Sequence, residues 1–143
     1  RHTRCSRDWS SDVCSSDLRS ATLNFVVNPR LGAYSGPLAI LVDGSSASTA
    51  EIFAGGLQDL GRARVFGTRT AAAALPSIIT RLPNGDGFQY AVANYVSASG
   101  RPLEANGVIP DAEVRSTRET LLTGRDAVLD AALDWIRAQK SKP

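Results

Sequence analysis

Leu38-Ala39-Ile40-Leu41-Val42-Asp43-Gly44-Ser45-Ser46-Ala47-Ser48-Thr49-Ala50-Glu51-Ile52-Phe53 is the stretch on which the fold turns. Its apolar run, residues 38–42, reads as a buried strand. Small and polar residues then break the run. A helical period follows at residues 48–60, in which Ile52, Phe53, Leu57 and Leu60 share one face and Gly61 supplies the stop. Ser48 therefore stands at a strand-to-helix turn. The amides of a first helical turn lack intrahelical partners and the helix dipole is positive there, so negative charge arising beside Ser48 is stabilised. The same residues carry a second reading, because Ser48-x-x-Glu51 is a capping box, a device that contributes about 1 kcal/mol. The local pattern leaves nucleophile and cap both open.

Outward from this turn the pattern stays mixed, which predicts an α/β fold. Residues 64–67 read as a second buried strand, and residues 77–82 and 88–97 flank Asn84-Gly85-Asp86-Gly87, a hairpin signal. A short extended piece ends at Val114. A last helix is expected from Thr123 or Asp126, with Val128, Leu129, Ala132, Leu133 and Ile136 as an apolar stripe for core packing. Toward the N-terminus, Asn28-Pro29-Arg30-Leu31-Gly32 reads as a loop after a short apolar segment at 23–27.

Composition excludes several function classes. The 143 residues carry sixteen basic and fourteen acidic side chains, a net charge of +2 without a dense basic run, and only 6% aromatics, so nucleic acid is not an expected partner. No apolar stretch approaches the roughly 20 residues of a membrane-spanning helix. No cofactor and no metal site is read from these residues. The run Asp8-Trp9-Ser10-Ser11-Asp12-Val13-Cys14-Ser15-Ser16-Asp17-Leu18 resembles one reading frame of a sequencing-library adapter. Residues 1–19 are accordingly expected to be a non-native leader. That leader holds both cysteines, Cys5 and Cys14, and the single histidine, His2, so neither residue type informs on compartment or on catalysis.

Three separated motifs then carry a family resemblance. They are Val42–Ala54 followed by Leu57-Gln58-Asp59 and Val65-Phe66-Gly67; Ser99-Gly100-Arg101-Pro102; and Glu104-Ala105-Asn106-Gly107-Val108-Ile109-Pro110-Asp111. In this order they resemble the C-terminal processing peptidases, or tail-specific proteases. The resemblance implies part of a crotonase-like α/β fold (the ClpP/crotonase superfamily), with residues 20–143 as the C-terminal part of the catalytic domain. It implies Ser48 as nucleophile and the Thr49 backbone N–H as one oxyanion donor. The other donor belongs to a glycine-rich segment that this sequence lacks.

One departure bears on the chemistry. Many members place a lysine base in a Gly-x-x-Thr-x-Gly-Lys-Gly pattern, and here Gly67-Thr68-Arg69-Thr70-Ala71-Ala72-Ala73-Ala74 puts Ala73 at the lysine position and Ala72 at the preceding glycine. A serine hydroxyl needs a neighbouring base, so a serine–lysine dyad is excluded. The stretch is similar to the lysine-lacking branch of tricorn-like and interphotoreceptor retinoid-binding-like proteins. There the base is a histidine from the N-terminal half, oriented through a network with a downstream glutamate. Glu104 is the candidate for that glutamate, with an exposed loop carboxylate as the alternative. Arg69 and Arg101 are expected to be solvated surface charges rather than contacts to a substrate carboxylate.

The resemblance thus implies a serine endopeptidase acting on polypeptides near their C-terminal ends, periplasmic or secreted, with its base outside residues 20–143. This chain alone is then expected to be inactive. A non-catalytic module binding an apolar ligand on the same fold is the alternative. Oligomeric state is not read from the sequence.

Overall fold

Gly67 explains how the central pair of strands comes together. In the computed structural model, which describes residues 12–18, 21–26 and 31–140, β3 (Ala39–Val42) and β4 (Arg64–Gly67) run parallel with Val42 opposite Gly67. Gly67 has φ 125°, and a Cβ on it would lie 1.9 Å from the Val42 carbonyl oxygen. Only glycine allows that approach. The connection between the two strands is α1 (Thr49–Asp59), a βαβ unit of the kind parallel pairing requires. β8 (Ala112–Glu113) adds to the other edge of β4, giving a parallel sheet of order β3-β4-β8.

The other strands are antiparallel. β5 (Ser77–Arg81) and β6 (Gly87–Ala91) form the hairpin expected around Asn84-Gly85, where Gly85 takes φ 94°. The expected strand at 88–97 is in fact two: it breaks at Val92 and Ala93 before β7 (Asn94–Ser97). β1 (Asp12–Leu18) lies within the segment expected to be foreign, and pairs with both β2 (Ala21–Val26) and β7.

The face of α1 that enters the core departs from the expectation. Phe53 and Leu60 are exposed, and the buried residues are Glu51, Ala54, Gly55 and Gly56. The reason is close approach. A Cβ on Gly55 would meet the side chains of Leu103 and Val108 at 3.3 Å, so the helix rests its small residues on that pair. Leu103 and Val108 join Val42, Ala54, Val65, Ala74 and Tyr95 in one apolar cluster. Burial of this kind is the main stabilising term, at about 25 cal/mol per Å² of apolar surface.

After β8 come α2 (Arg118–Leu122), a short helix without a sequence expectation, and α3 (Ala127–Lys140). Of the two starts considered for the last helix, Asp126 is the one observed: its Oδ1 accepts the N–H groups of Val128 and Leu129, both at 3.0 Å. The apolar stripe of α3 is only half in the core. Ala132 is buried, Val128 and Ile136 are half-buried, and Leu129 and Leu133 are exposed. Trp135 extends the contact, its ring 5.8 Å from that of Phe66.

Candidate active site

Ser48 sits at the N-cap of α1 with φ 56° and ψ −124°, a backbone conformation that L-residues rarely adopt. Such a position costs on the order of 1–3 kcal/mol and persists only where surrounding contacts impose it. Those contacts are identifiable. Ser48 N–H donates to the Ala73 carbonyl at 2.8 Å and to Glu51 Oε2 at 3.1 Å. Ser48 is exposed, and its hydroxyl occupies the capping-box position over the Glu51 amide without making a cap hydrogen bond. The capping box is thus reciprocal in arrangement, but its hydrogen bond of full strength is the one from Ser48 N–H to the Glu51 carboxylate.

Thr49 is the first residue of α1, and its N–H is unpaired among the described residues. An exposed hydroxyl, an adjacent free amide and the positive end of a helix dipole thus meet at one turn, an arrangement that favours negative charge there. Asp43 shapes the approach to this turn, its Oδ1 accepting from Ser45 N–H at 2.8 Å and Ser46 N–H at 3.1 Å.

Glu51 is the residue whose role the sequence concealed. A capping-box glutamate is ordinarily a surface group, yet Glu51 is 0% exposed. Four donors converge on its two oxygens. Oε1 accepts from Thr70 Oγ1 at 2.5 Å and Ala72 N–H at 2.8 Å; Oε2 accepts from Ala73 N–H at 2.9 Å as well as from Ser48 N–H. Hydrogen bonds of this number stand in for the water a buried carboxylate loses. The signal available in sequence was only the pattern of motifs, because the donors lie about twenty residues downstream.

The loop that Glu51 grips contains Ala73, the position at which the resembling family carries lysine. Its carbonyl is the group that Ser48 N–H contacts, so the loop passes directly beside Ser48 at this residue. Ala72, at the glycine position, has φ 62°. Ala72 is thus held in the left-handed conformation that glycine adopts without strain.

Glu104 holds the far side of the same loop. Its Oε2 accepts from Ala74 N–H at 2.8 Å and Leu75 N–H at 3.2 Å, and it is half-buried, so it is not an exposed loop carboxylate. Ala105 N–H closes the arrangement on the Ala72 carbonyl at 2.9 Å. Residues 70–75 are thereby held between two carboxylates, Glu51 from the helix and Glu104 from the turn. Arg69 is an exposed charge, as expected, and only Arg101, half-buried, departs from that expectation. Arg69 donates to the carbonyls of Asn106 at 2.8 Å and Ala105 at 2.7 Å, and Arg101 pairs with Asp59 at 3.0 Å and reaches Gln58 at 3.2 Å. Both fasten motif segments together. Asp111 does likewise, its carboxylate accepting from Val65 N–H at 2.7 Å and Gln58 Nε2 at 3.0 Å.

His2 lies outside the described residues, and among those residues no group of His, Cys, Asp and Glu is arranged to hold a metal ion. No helix of the described residues is long and apolar enough to cross a membrane.

The chain belongs to peptidase family S41, whose sequence pattern matches residues 7–114, a span that includes part of the segment expected to be foreign. It is 39% identical over 75 residues to a carboxyl-terminal-processing protease of Picosynechococcus sp., covering 52% of this chain and 18% of that protein. It is 40% identical over 77 residues to the chloroplastic carboxyl-terminal-processing peptidase 3 of Arabidopsis thaliana, covering 54% of this chain and 15% of the relative. The crystal structure of the tricorn protease superposes with a TM-score of 0.64 at 23% identity, over 80% of this chain and 12% of that one, a likeness of fold alone. The chain spans less than a fifth of the length of each of these proteins.

Proposed function

We propose that Ser48 is the nucleophile of a serine endopeptidase that cleaves polypeptides near their C-terminal ends, and that residues 20–143 are the C-terminal part of its crotonase-like catalytic domain. The observation that carries this reading is the turn itself: an exposed Ser48 at φ 56° whose hydroxyl makes no cap bond, next to the unpaired Thr49 N–H. Ser48 Oγ attacks the scissile carbonyl carbon, a base takes the hydroxyl proton, and Thr49 N–H holds the oxyanion. Collapse of the tetrahedral species expels the amine, which receives that proton. Water then releases the acyl group from Ser48.

The base is a histidine supplied from outside residues 20–143, because Ala73 cannot accept a proton. Glu104 orients that histidine's network through the 74–75 backbone it grips. This chain alone consequently turns over no peptide. The likeness to processing proteases, one of them named as chloroplastic, supports an extracytoplasmic setting.

Ser48→Ala in the full-length gene product tests the assignment. Peptide hydrolysis should fall by several orders of magnitude, and labelling by a fluorophosphonate should vanish. Labelling that persists in the alanine variant removes Ser48 from the role. The alanine at position 73 favours a second reading, an apolar-ligand module without proteolysis. A full-length product that binds a fluorescent fatty acid, ignores the fluorophosphonate and cleaves nothing would establish that reading instead.

A further inference from the structure

Thr70 touches neither Ser48 nor any group assigned to the chemistry, yet its hydroxyl stands where three separated stretches of chain meet. It is 5% exposed. Thr70 Oγ1 accepts the Val108 N–H at 2.7 Å and donates to Glu51 Oε1 at 2.5 Å. The direction of the second bond is determined by chemistry. The Val108 amide can only donate and an ionised carboxylate can only accept, so the single hydroxyl proton must point at Glu51. Thr70 N–H adds a third link, donating to the Val108 carbonyl at 3.2 Å.

Gly107 makes room for this junction. It has φ 65°, and a Cβ on it would lie 2.8 Å from Thr70 Oγ1 and 3.3 Å from Ala72 N. A side chain there would push the hydroxyl off its two partners. A continuous polar path therefore runs from the 103–108 turn through Thr70 to one oxygen of Glu51. The other oxygen of that carboxylate receives the Ser48 and Ala73 amides.

We propose that Thr70 is a positioning residue for the reaction, its hydroxyl orienting the Glu51 carboxylate so that Ser48 is held in its left-handed turn. The proposal rests on the reading of Ser48 as nucleophile. A valine at this position has the same shape and no hydroxyl. It leaves the Val108 amide without a partner and Glu51 Oε1 with Ala72 N–H alone, so the carboxylate swings and the Ser48 turn follows. Displacement of a reacting atom by about 1 Å is enough to cost about 10²-fold in rate. Thr70 is buried and offers a substrate almost no surface, so the effect belongs in kcat.

The experiment compares wild type, Thr70→Val, Thr70→Ser and Ser48→Ala in the full-length gene product, with steady-state hydrolysis of a fluorogenic peptide. Thr70→Val should lower kcat by about 10²-fold while KM stays within about twofold, and Thr70→Ser, which keeps the hydroxyl, should return kcat to within about threefold of wild type. An unchanged kcat in Thr70→Val, an equal loss in the valine and serine variants, or a loss confined to KM overturns the positioning role. Ser48→Ala reports separately: activity surviving that change removes the nucleophile reading, whereas its loss alongside an unaffected Thr70→Val removes only the present inference. If Thr70→Val does not fold, proton NMR of the wild type decides. A slowly exchanging Thr70 hydroxyl with a cross-peak to Val108 N–H is expected, and a hydroxyl in fast exchange with water overturns the proposal.

Discussion

Replacing Glu51 by glutamine changes one oxygen to an NH2 group and little else, which isolates the carboxylate's role in holding the Ser48 turn. Two orientations of the amide are available. With the NH2 at the Oε2 position it faces two donors, the amides of Ser48 and Ala73. With the NH2 at the Oε1 position it can donate to Thr70 Oγ1, which leaves Ala72 N–H opposed and the Thr70 hydroxyl proton without its acceptor. The second orientation is the cheaper. A buried amide deprived of its acceptor costs about 1–3 kcal/mol. The two bonds kept by the glutamine oxygen lose their charge-assisted strength, adding about 1 kcal/mol. The expected sum is a destabilisation of about 3 kcal/mol, a large fraction of the ~5–15 kcal/mol that holds a domain folded. Urea unfolding of wild type and Glu51→Gln, with a common slope, reads this directly. A loss below about 1 kcal/mol would show that the four donors do not depend on the carboxylate, and the account of the turn would fall with it.

Ala72→Gly should stabilise the protein by about 0.5–1 kcal/mol, since about 1–2 kcal/mol of left-handed strain is relieved against about 0.5–1 kcal/mol of added chain entropy; a lower denaturation midpoint would contradict the assignment of strain at φ 62°. Ser48→Ala should shift stability by less than about 0.5 kcal/mol, because the hydroxyl makes no cap bond to lose. A loss near 1–2 kcal/mol in that variant would restore the capping role. Deletion of residues 1–19 should leave the unfolding free energy of the remainder unchanged if the leader is foreign, and a drop of more than about 1 kcal/mol would mean that β1, paired with β7 from Cys14↔Ser97 to Asp17↔Asn94, belongs to the fold.

The βαβ core was legible in the sequence because its signals are local. An apolar run of strand length, a helical period and two glycines define β3, α1 and β4, with the limits of β4 at Arg64 and Gly67 as expected and those of β3 within one residue. The same local signals placed Ser48 at the strand-to-helix turn, where it caps α1. What lay beyond the sequence is where partners are far apart in the chain. Apolar periodicity assigned Phe53 to the core, but the helix approaches Leu103 and Val108 too closely for a large side chain, so Gly55 and Ala54 took that face. Glu51 read only as a capping-box partner because its other donors, Thr70, Ala72 and Ala73, enter only when β4 returns the chain to the head of α1. Arg101 read as a solvated charge for the same reason, since its acceptors Gln58 and Asp59 stand on α1 about forty residues away. Local periodicity determines which elements form. Whether a charged side chain at their ends meets water or a closed set of hydrogen-bond partners is decided by packing, because only the folded chain brings those donors within reach.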